Sequence, residues 1–337
     1  MSVVKVLSAE QIESIFTIPM AIQAVERAYL EKHSGQSGAW PMVFHEFDPG
    51  HADLDIKSGH FGGADIYGLK VVSWFGANPE KGLPALFGTS LLFDLSTGAP
   101  KALLNAGPIT HCRTGAAAAI GAKYLARPDA KTLLIAGCGG LAPYLAAAAI
   151  TALPGLDRVL LTDPKFPENG EKLCPSITEK VGKLLNAGDV RRRVDILPTE
   201  LEAGVKQADI IFTATPAYDP YIKAEWVRPG THLSCIGADL SGKEEVDFEL
   251  FRAAKVFGDD EGQCLSVGEC EIPHKKGILS GLLGEIGGVM AGAVPGRTSQ
   301  EDITIFDSTG IALQDLASAA SILGVADQAG VGVQVDL

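Results

Sequence analysis

Between residues 132 and 156 the chain carries no charged side chain, a length sufficient to cross a bilayer as a helix. Gly137, Gly139, Gly140 and Pro143 interrupt the run, so it reads instead as a strand (TLLIAG), a turn and an alanine-rich helix (LAPYLAAAAITAL). The turn, Gly137-Cys138-Gly139-Gly140-Leu141-Ala142, fits the pattern G-x-G-x-x-A. Gly137 permits a tight turn, Gly139 lets a ligand approach the backbone, and Ala142 lets the helix pack closely on the strand. N–H groups at the start of such a helix have no intrahelical acceptor and favour an anion. A strand, glycine turn and helix of this kind belong to a parallel sheet, which restricts the fold more than any other feature of the chain.

The next strand, DRVLLTD, ends on Asp163, 21 residues beyond Ala142. An acidic side chain there accepts hydrogen bonds from the hydroxyls of an adenosine ribose, so loop and Asp163 together read as a dinucleotide site. A carboxylate repels a 2′-phosphate, which favours NAD(H) over NADP, although Lys165 weighs the other way. The bland reading of Asp163 is a turn residue before Pro164. Further strands are expected at 194–197, 208–215, 232–237, 255–258 and 303–306, with helices between most of them, one capped by Ser176 with Glu179. This alternation predicts a Rossmann-type doubly wound α/β domain over 127–310. Before it, Ser8 and Gln11 form a capping box, a helix covers 19–32, and the segments MVFHEF, DLDIKS, GLKVVSWF, LFGTSLLFD and PKALLN alternate as strands, with a hairpin at 96–98. A helix over 109–126 closes an α+β domain, to which a last helix at 311–325 returns. Its extent is therefore 1–126 with 311–337.

The balance of 28 Lys+Arg against 41 Asp+Glu gives a net charge of −13, with no basic run to neutralise phosphates. Nucleic acid and anionic membrane are excluded as expected partners. Six cysteines lie scattered without a CxxC pair or a histidine at ligand spacing, so no metal is expected and the thiols read as reduced, in a cytoplasmic protein. The segment MSVVKVLSAEQIE lacks the apolar core of a signal peptide.

Charged residues in apolar surroundings single out a site. Lys70 interrupts GLKVVSWF, where an ammonium is costly unless paired or unless its stem snorkels from an edge strand. Arg113 stands near the start of an apolar helix, where the dipole disfavours a cation; a bound carboxylate or phosphate resolves the conflict, and so does a salt bridge. Asp239 follows the strand HLSCIG at its carboxyl end, where open α/β sheets place ligands and an Asp can exchange protons. Thr213, Thr215 and Ser308 also end expected strands, to touch a cofactor or to close a turn.

In order along the chain, Gly68-Leu69-Lys70, Gly82-Leu83-Pro84, FDLSTGAPKALLN, Arg113-Thr114, the glycine loop, IGADLSGKEEVD, Gln263 with Gly268-Glu269, Gly296-Arg297 and DITIFDSTGIALQD resemble the ornithine cyclodeaminase/mu-crystallin family. The resemblance implies a homodimer whose first domain binds substrate and dimerises and whose second binds NAD. It implies that Lys70 and Arg113 hold a substrate carboxylate, with Lys70 beside the reacting carbon, that Asp239 is the acid/base, and that Thr114, Gly137 to Ala142, Asp163, Thr213 and Ser308 hold the dinucleotide. Two departures stand out. Many members carry an arginine after Pro-x, but Pro41-Met42 is followed here by Val43, and many have Gln where Leu141 stands. Lys57 lies where an apolar residue such as Met is expected; with His45, it is read as replacing the missing cation and steering substrate choice toward a second carboxylate.

The resulting expectation is an NADH-dependent reductase of a small 2-imino acid, or of a 2-oxo acid with ammonia or an amine, a dicarboxylic substrate such as iminosuccinate included. Ornithine cyclodeamination to proline with bound NAD is the alternative. A non-catalytic binder of a small ligand is the reading from another class, and Lys70, Arg113 and Asp239 speak against it.

Overall fold

The computed structural model describes residues 3–48 and 50–337. The chain divides into two compact units, one running to Arg113 and resuming over Ile311–Leu337, the other Thr114–Gly310. The first begins with β1 (Val3–Leu7), α1 (Ala9–Ile15) and α2 (Ile18–His33). Ser8 caps α1 through the reciprocal bonds with Gln11 that the sequence announces, satisfying two N–H groups that a helix start leaves open. Five strands follow: β2 (Gly38–Ala39), β3 (Val43–Asp48), β4 (Ala52–Phe61), β5 (Ile66–Phe75) and β6 (Leu86–Asp94). A hairpin whose turn is held by the Asp94 carboxylate, with Gly98 at φ +73°, leads to β7 (Pro100–Asn105) and then α3 (Gly107–Leu125).

The second unit alternates as the sequence pattern requires. It contains β8 (Thr132–Ala136), α4 (Ala142–Ala152), β9 (Arg158–Thr162), α5 (Glu168–Ala187), β10 (Asp195–Pro198), α6 (Leu201–Gln207), β11 (Ile210–Thr213) and β12 (His232–Cys235). After these come β13 (Lys255–Gly258), α7 (Glu261–Val267), α8 (Glu271–Lys275), β14 (Gly284–Glu285), α9 (Ile286–Met290) and β15 (Thr304–Asp307). All strand pairs of this sheet are parallel, in the order β10-β9-β8-β11-β12-β15-β13-β14. The order reverses between β8 and β11, the topological switch point at which such sheets bind ligands beyond their carboxyl ends. Leu134, Ile211, Leu233 and Ile305, on neighbouring strands, are fully buried in one apolar cluster. The uncharged run is thus β8, a turn and α4, and among the described residues no helix is long and apolar enough to cross a membrane.

Finally α10 (Ala312–Ala329) packs on α2, β4 and β5, and β16 (Val333–Asp336) pairs antiparallel with β1. The first sheet then has the order β16-β1-β7-β6-β5-β4-β2, with β3 also on β4.

Three details differ from the sequence reading. The boundary between the units falls within α3 and not at 126/127, because the second half of α3 is tied to the parallel sheet. Ser234 donates to the Ala118 carbonyl, and Gly121 lies so close to Phe306 that a Cβ would stand 2.3 Å from its ring. Ser176 and Glu179 do not cap a helix, since α5 has already begun at Glu168 and carries Pro175 within it. The strand β16 was not expected.

Candidate functional site

In the first unit, β5 is central and not an edge strand, so Lys70 has no route to water along its stem. It is 2% exposed, paired across the strands with Lys57 on one side and Ser90 on the other. Its Nζ donates to Asp315 Oδ1 at 2.9 Å and lies 2.9 Å from Oδ2. Asp315 reaches it from α10, 245 positions along the chain. Arg113, on the second turn of α3, places Nε 3.3 Å from Asp315 Oδ1 and donates from Nη1 to Gln314 Oε1 at 2.9 Å; Gln314 in turn donates to the Tyr29 hydroxyl at 2.8 Å. Burial, then the Arg113 charge, lowers the Lys70 pKa to about 8. Burial alone would raise the Asp315 carboxyl, but Lys70 and Arg113 hold it below its usual range. Arg113 Nε, buried, makes no hydrogen bond, so the guanidinium retains donor capacity.

Lys57 is also buried and faces Lys70, as β4 and β5 are in register there. His45 is corrected. It pairs with Leu54, and since side chains alternate along a strand it lies on the opposite face from Lys57, exposed and edge-on to Phe47. Val43 is exposed on the same strand.

In the second unit, Gly137 has φ +122° and lies against β11's continuation, where a Cβ would stand 2.6 Å from the Ala214 carbonyl oxygen. Gly139 and Gly140 are exposed, and a Cβ on Gly139 would meet nothing within 4 Å. Helix α4 starts at Ala142 with Leu141 at its cap and no side-chain acceptor for its first N–H groups. An exposed backbone loop and room over Gly139 fit a pyrophosphate. Asp163 follows β9 directly, and its Oδ1 accepts from the N–H groups of Lys165 and Phe166, so it closes a turn at the position where the ribose reading places it. Thr114 is buried on α3. The Cys138 thiol is buried, and burial with the Asp163 charge pushes it up to about 12, so it is no nucleophile. Asp239 lies beyond β12, partly exposed, and pairs with Lys243 Nζ at 2.7 Å.

Thr213 and Ser308 are both buried, with their hydroxyls turned to carboxylates. Thr213 donates to Glu245 Oε2 at 2.6 Å and Ser308 to Asp259 Oδ2 at 3.0 Å. Glu245 accepts in addition from Thr215 N, Thr215 Oγ1, Tyr221 Oη and Gly237 N, tying the ends of β11 and β12 together. Asp259 likewise receives Thr309 and Gly310. Glu269 accepts from the N–H groups of Glu245 and Val246 through Oε1, and Asp307 from Cys270 N through Oδ2. Glu269 Oε2 and Asp307 Oδ1 make no hydrogen bond. Burial, and then the Glu245 charge, raises Glu269 well above the usual carboxyl range. Sequence reasoning passed over this acid network because only the fold brings residues 245, 259, 269 and 307 to one end of the sheet. Among the described residues no group of His, Cys, Asp and Glu is placed to hold a metal ion.

Burial raises Asp307 to about 7. Its folded state therefore keeps a proton that an unfolded carboxyl, with pKa near 3.9, releases, and stability falls as pH rises from about 4 to about 7, by at most about 4 kcal/mol. The Asp307→Asn variant is expected to lose that part of the slope, which urea unfolding at pH 5 and pH 8 measures. An unchanged difference between the two pH values would contradict it.

The model of the ornithine cyclodeaminase/mu-crystallin family matches residues 2–329. The alanine dehydrogenase of Archaeoglobus fulgidus is 36% identical over 334 residues, 98% of this chain and 97% of its own. Among solved structures, the Thermococcus litoralis Δ1-pyrroline-2-carboxylate reductase in complex with NADH and L-proline superposes with a TM-score of 0.89 at 30% identity, covering 98% of this chain and 100% of that one. The iminosuccinate reductase of Paracoccus denitrificans in complex with NAD+ gives a TM-score of 0.87 at 29% identity, covering 99% and 100%.

Proposed function

Because the chain belongs to the ornithine cyclodeaminase/mu-crystallin family, we propose that it is an NADH-dependent reductase of small 2-imino acids, formed from a 2-oxo acid and ammonia or an amine. The observation that carries the reading is the buried cluster of Lys70 and Arg113 around Asp315, which keeps an unused guanidinium donor in an apolar setting. A carboxylate is the ligand that such a cluster takes: Arg113 offers a planar donor and Lys70 a point charge. Asp315 opposes the two cations, so that they stay buried without substrate. Substrate binding then fixes the carbon beside the carboxylate, and positioning of this kind supplies much of the rate.

The loop from Gly137 to Ala142, with Cys138, Gly139, Gly140 and Leu141 contributing backbone, would hold the pyrophosphate of NADH, Asp163 the ribose, and Thr114 a neighbouring phosphate oxygen. Thr213 and Ser308 contribute by anchoring their loops to Glu245 and Asp259. When bound, NADH supplies a hydride to C2 of the imine. Asp239 supplies or holds the proton on nitrogen, with Lys243 keeping its carboxylate oriented.

A homodimer completes the proposal. Phe47, Phe75 and Phe87 are exposed on one face of β3, β5 and β6, with Phe47 stacked on Phe75 at 5.9 Å, and an exposed cluster of aromatic rings marks an association surface. A charged Phe47→Glu variant that still sediments as a dimer would remove this support.

The deciding assay is NADH oxidation over 2-oxo acids with ammonia or methylamine. One NADH consumed per amino acid formed is the expected result; ammonia released from ornithine with no net NADH consumption would make the chain a cyclodeaminase instead. The pH profile tests the role of Lys70. As pH rises through about 8 the ammonium loses its proton and its hold on a carboxylate, so kcat/KM is expected to fall above that value. Lys70→Arg, which stays charged, should flatten this limb, and an unaltered limb would assign it to another group.

A further inference from the structure

The turn that follows β12 carries Asp239, partly exposed, with Lys243 Nζ 2.7 Å from its Oδ1. Both sides of this turn are gripped by buried carboxylates. On the entering side Gly237 N donates to Glu245 Oε2 at 2.9 Å; on the leaving side Gly242 N donates to Glu271 Oε2 at 2.7 Å and Ser241 Oγ to Glu271 Oε1 at 2.5 Å. Glu245 is itself fixed, since its own N–H and that of Val246 donate to Glu269 Oε1. Glu271 opens α8, is fully buried, and also accepts from Lys275 Nζ. Burial alone would raise the Glu271 carboxyl, but Lys275, Ser241 and the Gly242 N–H hold it below its usual range, so it grips as an anion.

Such a grip exceeds what closing a turn requires. Ser241 is exposed and water serves its hydroxyl as well, whereas burying a carboxylate is expensive unless hydrogen bonds compensate it. The group that the two anions hold between them is Asp239, which lies between Gly237 and Gly242. A group that exchanges a proton in a reaction must be placed to within about 0.5 Å, by neighbours that are themselves locked. We propose that Glu271 is a positioning residue for Asp239: it fixes the leaving side of the turn against α8, as Glu245 fixes the entering side against β11, so that the Asp239 carboxyl meets the substrate nitrogen in one geometry. The inference rests on the reading of Asp239 as acid/base in the proposed reductase and adds the residue that keeps it in place.

The test measures kcat and KM for NADH oxidation with pyruvate or oxaloacetate plus ammonia, and ammonia release from L-ornithine where neither is reduced. Glu271→Met, which keeps the length of the side chain and removes its acceptors, should lower kcat about 10- to 100-fold and leave KM for oxo acid and NADH within about twofold, because a misplaced proton group costs turnover and not ground-state binding. Glu271→Gln keeps an acceptor for the Gly242 N–H and a donor to Ser241 Oγ, and should recover most of kcat. In a double-mutant cycle with Asp239→Asn, adding Glu271→Met should cost less than about twofold, since it acts only through the Asp239 carboxyl. If the Met variant fails to fold, Ser241→Ala replaces it in the cycle, with a loss in kcat of about three- to fivefold. Losses that multiply in the double variant, a raised KM at unchanged kcat, a Gln variant as impaired as the Met one, or full kcat in Asp239→Asn would overturn the inference while NADH consumption by the wild type keeps the reductase reading. If the wild type consumes no NADH but releases ammonia from ornithine, the reductase reading fails and the same cycle on ammonia release decides: losses that do not multiply sustain the inference, and losses that multiply overturn it. Turnover in neither assay overturns both.

Discussion

Asp315→Ala is expected to cost about 3–5 kcal/mol of folding stability, the penalty for leaving buried charges without their partner. Lys70 and Arg113 both face this carboxylate, and neither is on a surface where water could replace it. The pH dependence follows from the signs. The folded Asp315 pKa lies below its unfolded value, so its contribution is complete above the unfolded carboxyl range and is lost as pH falls through the folded one. In the variant, Lys70 loses the anion that favours its charged form, and its pKa falls further below the about 8 of the wild type. Between that value and the unfolded lysine value the unfolded state binds more protons, so the variant gains stability as pH rises. Urea unfolding should therefore show the larger deficit at pH 6 and a smaller one at pH 9.5. A loss under about 1 kcal/mol at pH 6 would mean that water enters the cluster.

Valine at positions 137 and 139 should separate folding from ligand binding. Gly137→Val forces a β-branched residue to φ +122° and drives its Cβ to 2.6 Å from a backbone oxygen that cannot swing away. The conformation alone costs about 1–3 kcal/mol and the clash adds to it, so a melting temperature lower by about 5 °C or more is expected. Gly139→Val meets nothing within 4 Å and should melt with the wild type. Its side chain occupies the room over the loop, and NADH affinity, read by fluorescence titration, should drop about 100-fold or more. Equal NADH affinity in Gly139→Val would remove the loop from the cofactor site.

The features legible in the sequence are those that a single segment encodes. The glycine loop, the Ser8 capping box and the alternation of strands and helices each rest on neighbours within a few positions, and the fold places them as read. Lys70 and Arg113 were legible too, because an isolated charge in an apolar run marks a constraint whatever supplies the partner. That partner was not legible, since Asp315 arrives from the other end of the chain. His45 was placed on the wrong face because side-chain direction on β3 depends on how its turn sets the register with β4, and a shift of one residue inverts it. Thr213 and Ser308 do end their strands, but Glu245 and Asp259 turn their hydroxyls inward. Ser176 failed as a cap because the apolar spacing of α5 continues upstream through Pro175, which the helix accommodates.

The closing helix α10 also sets an order of biosynthesis. A ribosome makes the whole parallel-sheet unit before it makes Asp315, so the two early cations spend that interval without their anion. The later portion of the message thus completes the earlier half of the molecule, and a chain ending at Gly310 would leave the N-terminal sheet without both its covering helix and its outermost strand.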